Sequence, residues 1–445
     1  MSDSGLKKRV FGWMMFDWAS QPYNTLLLTF IFGPYFASAV MDDPVQAQSM
    51  WGFAIGASGF VIAVLAPILG AFADTSGRKM PWIWLFSGLY VLGSAALWLA
   101  VPGMDDVTFI LLLFCLGLIG MEFATIFTNA MLPTLGDRAE IGKISGSGWA
   151  MGYAGGVVAL VLMLLFLAEN EAGVTLLGTA PAFGLDAAAR EGTRFVGPFT
   201  ALWYVVFMIP FFMFVREVRP LTTAAVVPVS AALSGLWGTL RRLPDRRSFA
   251  SYLLSSMFYR DALAGMYTFG GIFAGGVLGW SVIDIGVFGI LAATTGAIFA
   301  WIGGRADSRF GPKPVILVCI VTLLIVSICI VGTSREAIFG ISLAEGSTLP
   351  DKFFYVLGAT IGAAGGCLQA ASRTMLVRQA DPERMTEAFG LYALAGKATA
   401  FLAPILIGVV TLFSESQRIG VAPVIGLFVL GLVLMSWVKP DGEFE

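Results

Sequence analysis

Histidine is absent from all 445 residues, which excludes histidine metal sites, histidine-based catalysis and histidine proton relays together. Any proton chemistry near neutral pH must then rest on carboxylates with raised pKa values. Cysteine is scarce. Cys115, Cys319, Cys329 and Cys367 all fall inside apolar runs, so they read as small core residues and not as a disulfide framework. Charge is scarce too, at 13% of residues, where a soluble domain of this length carries roughly a quarter. A net charge of −2 gives no reason to expect nucleic acid as a partner. No G-x-x-x-x-G-K-[ST] string occurs, so ATP-driven transport by this chain alone is not expected. No metal constellation or nucleophile–base pairing is present, which argues against an enzyme, and no cofactor is implied.

What is abundant is apolar sequence: 57% of residues are hydrophobic and the mean hydropathy is +0.83. Apolar runs recur at 11–40, 51–73, 81–101, 107–132, 144–168, 197–215, 249–276, 284–303, 314–332, 352–376, 387–412 and 420–437. Each approaches the roughly 20 residues a helix needs to cross about 30 Å of hydrocarbon. The 53 glycines favour a tightly packed bundle, because small residues let membrane helices approach closely. Lys7-Lys8-Arg9 before the first run superficially resembles a signal peptide. That run is too long for an h-region of roughly 7–15 residues and contains Asp17, Gln21 and Asn24, so it reads as a retained span.

The connections alternate in charge. With the N-terminus in the cytoplasm, that side receives nineteen Lys and Arg and the other side five, while Arg260, Arg373 and Lys397 stay inside spans. This asymmetry predicts cytoplasmic termini and an even number of crossings. The longest cytoplasmic connection, from Arg216 to Ser248, includes the amphipathic stretch Ser234 to Leu243, expected to lie along the membrane surface. It divides the chain into a bundle at 1–215, a linker at 216–248 and a second bundle at 249–445.

The halves repeat. Gly70-Ala-Phe-Ala-Asp74-Thr-Ser-Gly77-Arg78-Lys79 follows span two, and Gly303-Gly-Arg-Ala-Asp307-Ser-Arg-Phe-Gly311-Pro-Lys313 follows span eight, its aspartate 233 positions later. An offset of 244 relates Asp17 to Asp261, Tyr23 to Tyr267, Gly146 to Gly390 and Gly152 to Gly396. The first string resembles the cytoplasmic loop signature of the major facilitator superfamily, and the second is a weaker copy with one extra residue. Phe16-Asp17-Trp18-Ala19, Asn129-Ala-Met-Leu-Pro133, Gly146-Ser-Gly-Trp149, Tyr259-Arg260-Asp261 and Gln369-Ala-Ala-Ser372-Arg373 resemble the "unknown major facilitator" family, related to the vacuolar amino-acid effluxers of autophagy. The resemblance covers essentially the whole chain. It implies an all-α membrane protein of twelve transmembrane helices in two pseudo-symmetric six-helix bundles. It also implies a conformational latch formed by Gly70, Asp74, Gly77, Arg78 and Lys79 and by Asp307 and Gly311, with Asp74 meeting the N-terminal end of span eleven. Arg78 and Lys79 are equally readable as topology anchors.

Charges in hydrocarbon are costly unless they face a cavity or a partner, so each marks a candidate site. Asp17, Gln21 and Asn24 lie at i, i+4 and i+7 on one helical face, in a span interrupted by Pro22 and Pro34. Asp17 is also close enough to Lys7–Arg9 to pair with them. Arg260 and Asp261 are adjacent, so they point roughly 100° apart and are expected to serve different partners. Gln369 and Arg373 share a face of span ten, Lys397 lies ten residues into span eleven, and Asn129 closes span four. Glu122 is the carboxylate farthest from both ends of its helix, which makes it the first expectation for a proton site, followed by Asp17 and Asp261. Three interior acids against three bases fit either structural salt bridges or a site for a zwitterion, in which arginine can clamp a carboxylate.

The expected function is secondary transport of a small polar or zwitterionic solute, amino acid-like, by alternating access and coupled to protons. The alternatives are transport or flipping of a lipid or amphiphile, which six interior charges disfavour, and a non-transporting membrane receptor. The expected partners are the solute, protons and membrane lipid, and the expected state is a monomer in a bacterial inner membrane.

Overall fold

The computed structural model describes residues 3–41, 44–170, 172–216, 234, 237–239, 241, 243–280 and 282–443. Most of the 216–248 linker therefore lies outside the described residues. Among those described, ten helices are long and apolar enough to cross a membrane. The first span, which starts as the helix Asp3–Pro22, and the seventh, Arg247–Leu278, complete the twelve.

Two spans are irregular, for readable reasons. Pro22 ends the first stretch of span one, and the backbone then widens to a π-helix over Tyr23–Phe30 and again over Phe36–Val40, with a short α-helix, Phe32–Tyr35, between them. Proline supplies no N–H, and wider turns take up the register that this costs the helix. Span eleven is broken outright. Helix Met385–Ala398 stops, Thr399 to Phe401 turn, and helix Leu402–Ser414 resumes.

The chain forms two compact units: residues 1–131 with 151–227, and residues 132–150 with 228–445. The span-five helix Arg138–Phe166 thus gives its first part to the second unit and the remainder to the first. In the first unit, spans three and four cross at glycines. A Cβ on Gly93 would fall 2.5 Å from the Gly117 Cα, and one on Gly120 would fall 2.7 Å from the Phe86 carbonyl oxygen. Around that crossing Tyr23, Tyr90 and Tyr204 are fully buried, with hydroxyl partners at Phe114 O (2.7 Å), Ser20 O (3.4 Å) and Ser87 Oγ (2.8 Å). Each buried hydroxyl is thereby satisfied, which burial requires. In the second unit Gly366 packs against Gly296 of span eight, and Tyr252 and Tyr259 both bond Ser372 of span ten.

At the far end of span five, the connection between spans five and six is ordered by one carboxylate. Glu169 is buried, accepts hydrogen bonds from Thr193 N (3.1 Å) and Thr193 Oγ1 (2.6 Å), and pairs with Arg190 at 3.3 Å. Arg194 caps the neighbouring Trp98 by donating to its carbonyl (2.7 Å) while its guanidinium lies over the ring. After span nine, Ala337–Ile338 and Ile341–Ser342 form a hairpin whose central residues, Phe339 and Gly340, both have positive φ, as a tight two-residue turn demands.

Candidate functional site

The structure distributes the expected polar residues over the two units. In the first, span one lies along a glycine face of span five. A Cβ on Gly152 would sit 3.3 Å from the Asp17 carbonyl oxygen, one on Gly155 would fall 2.6 Å from Trp18 O, and one on Gly156 would fall 2.5 Å from Thr25 Oγ1 and 3.0 Å from Gln21 Cγ. Asp17 and Gln21 are half-buried along this crossing. Asn24 falls within the π-helical turn, where its carbonyl accepts from Thr29 Oγ1 at 2.8 Å. Widened turns of this kind often accompany functional sites. Glu122 and Asn129 are half-buried on span four, helix Thr108–Asn129. Trp18 stacks on Trp203 at 5.8 Å, and Tyr23 belongs to the core between Tyr90 and Phe114, so neither ring is free for a ligand in this arrangement.

In the second unit, Arg260 and Asp261 both reach span eleven but on different sides of its break. Arg260 Nη1 donates to Tyr392 O (3.1 Å), its guanidinium lies 4.1 Å from the Tyr392 ring centre, and it crosses Gly396, where a Cβ would meet Nη1 at 2.7 Å. Asp261 is 4% exposed; its Oδ2 accepts from Ala403 N at 2.9 Å, while Oδ1 is buried without a hydrogen-bond partner among the described residues. The break thus leaves two helix ends with matching charges. Lys397 lies in the last turn of the first half-helix, and Asp261 meets the first turn of the second. A cation at a C-terminal end and an anion at an N-terminal end both lower the energy of the exposed dipoles.

Arg373 is fixed elsewhere. It is buried, donates from Nε to Ser145 Oγ (3.0 Å) and from Nη2 to Ser145 O (2.8 Å), and lies 5.6 Å from the Trp149 ring centre. Ser145 Oγ in turn donates to Ala370 O at 2.8 Å, which closes the set. Gln369 is half-buried one turn away on the same helix. Nothing local in the sequence marks Ser145 as the partner of a residue 228 positions later. Its only signal is its place in the glycine-rich start of span five.

The two signature loops close in the same way. Gly77 N donates to Asp74 O (3.2 Å) with φ +64, and Gly311 N donates to Asp307 O (2.7 Å) with φ +83. Glycine is required at both, because the chain leaves the helix through a conformation that a Cβ disfavours. Asp74 is nearly buried and lies 3.5 Å from Lys79 Nζ, whereas Arg78 is exposed. Gly70 and Gly303 are buried. Asp307 is 1% exposed and rests against the first turns of the span-five helix. There a Cβ on Gly142 would fall 2.8 Å from its carboxyl carbon, and Lys143 N donates to Ser308 Oγ at 3.0 Å.

The internal repeat is therefore three-dimensional. Asp17 at Gly152 and Arg260 at Gly396 occupy equivalent crossings. Tyr23 and Tyr267 each set a hydroxyl over a glycine, Gly117 in span four and Gly365 in span ten. Twelve spans in two duplicated bundles, with a glycine-closed acidic loop after the second span of each, define a major facilitator transporter. This is an integral membrane protein and not an enzyme.

The comparisons narrow the class. Residues 37–442 match the family described as "Vacuole effluxer Atg22 like", and the chain belongs to it. It is 26% identical over 437 residues to the "Uncharacterized MFS-type transporter YxiO" of Bacillus subtilis, covering 98% of this chain and 95% of that one. It is 24% identical over 279 residues to Autophagy-related protein 22-1 of Sclerotinia sclerotiorum, across 60% of this chain and 44% of that longer protein. Among solved structures, the human organic anion transporter MFSD10 superposes with a TM-score of 0.70 over 97% of this chain and 99% of its own, at 15% identity.

Proposed function

We propose that this transporter moves a small polar or zwitterionic solute, amino acid-like, by alternating access coupled to protons. The observation that carries the reading is the break in span eleven. Asp261 has one oxygen on the amide of Ala403 and the other without a partner, beside a helix end that carries Lys397 and a crossing spanned by Arg260. Interrupted membrane helices expose backbone charge that holds ions and charged solute groups, and a carboxylate with a free oxygen can take up a proton. Arg260 and Lys397 suit a solute carboxylate, and Asp17, Gln21, Asn24, Glu122, Asn129, Gln369 and Arg373 are the further residues assigned to solute binding or coupling. The resemblance of the sequence strings to the vacuolar amino-acid effluxers favours an amino acid over a sugar or a lipid, and membership of a family described as vacuole effluxers fits that reading. The loops at Asp74 and Asp307 serve as conformational latches, and both termini lie in the cytoplasm of a bacterial inner membrane.

Purified protein is screened by thermal shift against amino-acid pools, and the stabilising solute is then followed into proteoliposomes beside an internal pH dye. The expected result is solute-dependent proton movement, lost in Asp261→Asn while solute counterflow persists. Solute flux with no proton movement in the native protein refutes the coupling. Stabilisation only by amphiphiles refutes the substrate class.

A further inference from the structure

A cup of about 650 Å³ opens beside the second signature loop. It is lined by Ser308 to Gly311, Lys313, Pro314, Leu317 and Arg378, with Pro440 and Asp441 of the C-terminal segment. The sequence explains its shape. Gly311 turns with φ +83, and a side chain there would press on Arg378, with its Cβ 3.3 Å from Nη1. Lys313 Nζ donates to Val438 O at 2.6 Å and thereby anchors the C-terminal segment as one wall.

The lining carries three cations, Arg309, Lys313 and Arg378, against the carboxylate of Asp441, which pairs with Arg378 at 3.1 Å. Buried Asp307 lies within electrostatic reach of Arg378, and even with its carboxyl counted as a second full negative charge an excess of one positive charge remains. Donors are also in excess. Arg378 Nε is buried without a hydrogen-bond partner among the described residues, and Arg309 is exposed, its guanidinium 5.3 Å from the neighbouring Phe310 ring centre. Beyond the cations the exposed surface turns apolar, with Phe310 (63% exposed) at the end of span eight and Pro314, Leu317 and Val318 (66% exposed) along span nine.

We propose that this cup binds a phosphate ester, the headgroup of an anionic membrane lipid, with the phosphate on Arg309, Lys313 and Arg378 and the acyl chains along Phe310, Pro314, Leu317 and Val318. A guanidinium pair suits phosphate geometry. Charge asymmetry assigns this face to the cytoplasm, where anionic lipid attracts basic residues near the surface. Asp441 occupies Arg378 when no ligand is bound and competes with the phosphate. The free phosphate of a soluble metabolite shares this chemistry but has no use for the apolar strip.

The test uses the full chain in neutral detergent, titrated with phosphatidylglycerol, with phosphatidylcholine and with inorganic phosphate. Melting temperature and native mass spectrometry are the readouts. Phosphatidylglycerol is expected to be retained and to stabilise, and phosphatidylcholine to do neither. Arg309→Gln is expected to weaken apparent affinity about fivefold, with a similar further loss in Arg309→Gln/Lys313→Gln, whereas Asp441→Asn strengthens it. Arg309→Gln alone keeps the test sound if the Lys313 change loosens the C-terminal wall, because Arg309 is exposed. Stabilisation by inorganic phosphate equal to that by the lipid supports the phosphate site and assigns it to a soluble ester. An unchanged response to phosphatidylglycerol in Arg309→Gln and in the double variant overturns the proposal.

Discussion

Substituting Gly146 by alanine tests a close helix crossing in the second unit. A Cβ there would stand 2.6 Å from the Gly304 Cα and 2.9 Å from its nitrogen, and closer still to the Ala300 carbonyl oxygen. Ordinary contacts of a Cβ begin near 3.4 Å, and every atom named belongs to backbone, so no side-chain rotation relieves the overlap. The helices must separate by roughly 1 Å, and overpacking of this kind costs about 1–3 kcal/mol. Separation also lengthens the contact between Arg373 and Ser145, one residue earlier on the same helix. Gly426→Ala is the control, because its Cβ would meet nothing within 4 Å. In detergent, monitored by tryptophan fluorescence, Gly146→Ala is expected to melt several degrees below the native protein and Gly426→Ala within about a degree of it. Gly304→Ala, which approaches the same crossing from the other helix, should match Gly146→Ala. Equal melting of Gly146→Ala and Gly426→Ala would refute the assignment of this crossing as a backbone-to-backbone contact.

Ser145→Ala removes an acceptor from Arg373 Nε and a donor from Ala370 O in a buried setting, so a loss of about 1–3 kcal/mol is expected in the same melting assay, with native stability as the contrary result. Glu169→Gln should loosen the connection between spans five and six, which limited proteolysis from the side bearing that loop would report as new cleavage between 170 and 195. Glu122→Gln is expected to abolish pH-gradient-driven uptake while solute binding persists; unchanged uptake in proteoliposomes removes Glu122 from the coupling. For the first signature loop, Asp74→Asn should move the conformational equilibrium toward the inward-open state, and cysteine labelling from the two sides of the membrane that is unchanged from the native protein contradicts that role.

The spans were legible because hydrophobic length is a property of composition. The repeat was legible because Asp17, Tyr23, Gly146 and Gly152 share one offset of 244 from their counterparts, and Asp74 recurs as Asp307 within a matching loop string. The break at Thr399 to Phe401 was hidden inside a continuous apolar run, with Pro404 just beyond it as the available signal. Arg260 and Asp261 were expected to diverge, and they do, but the sequence could not show that both reach span eleven. The partner of Arg373 was illegible for the same reason: a hydrogen bond across 228 residues depends on how helices cross, and glycine counts do not say which glycine meets which backbone. Tyr23 shows the opposite limit. Its spacing from Tyr267 marks it as part of the repeat, yet nothing in the sequence shows that its hydroxyl is used within the core.

The hairpin after span nine bears on how the two halves diverged. The spacing between counterparts is 244 residues at Asp17 and Tyr23, falls to 233 at Asp74, and returns to 244 at Gly146. The first half therefore holds eleven residues more between Tyr23 and Asp74, and the second half regains eleven between Asp307 and Gly390. The surplus in the second half coincides with the Ala337–Ser342 hairpin and its flanks, and that in the first with the widened turns of Tyr23–Phe30 and Phe36–Val40 and the chain that follows. After duplication these two segments were free to change length, whereas the repeated loop gained a single residue, between Asp307 and Gly311. Grafted tags or epitopes should accordingly be tolerated between 333 and 348 and rejected between 303 and 313.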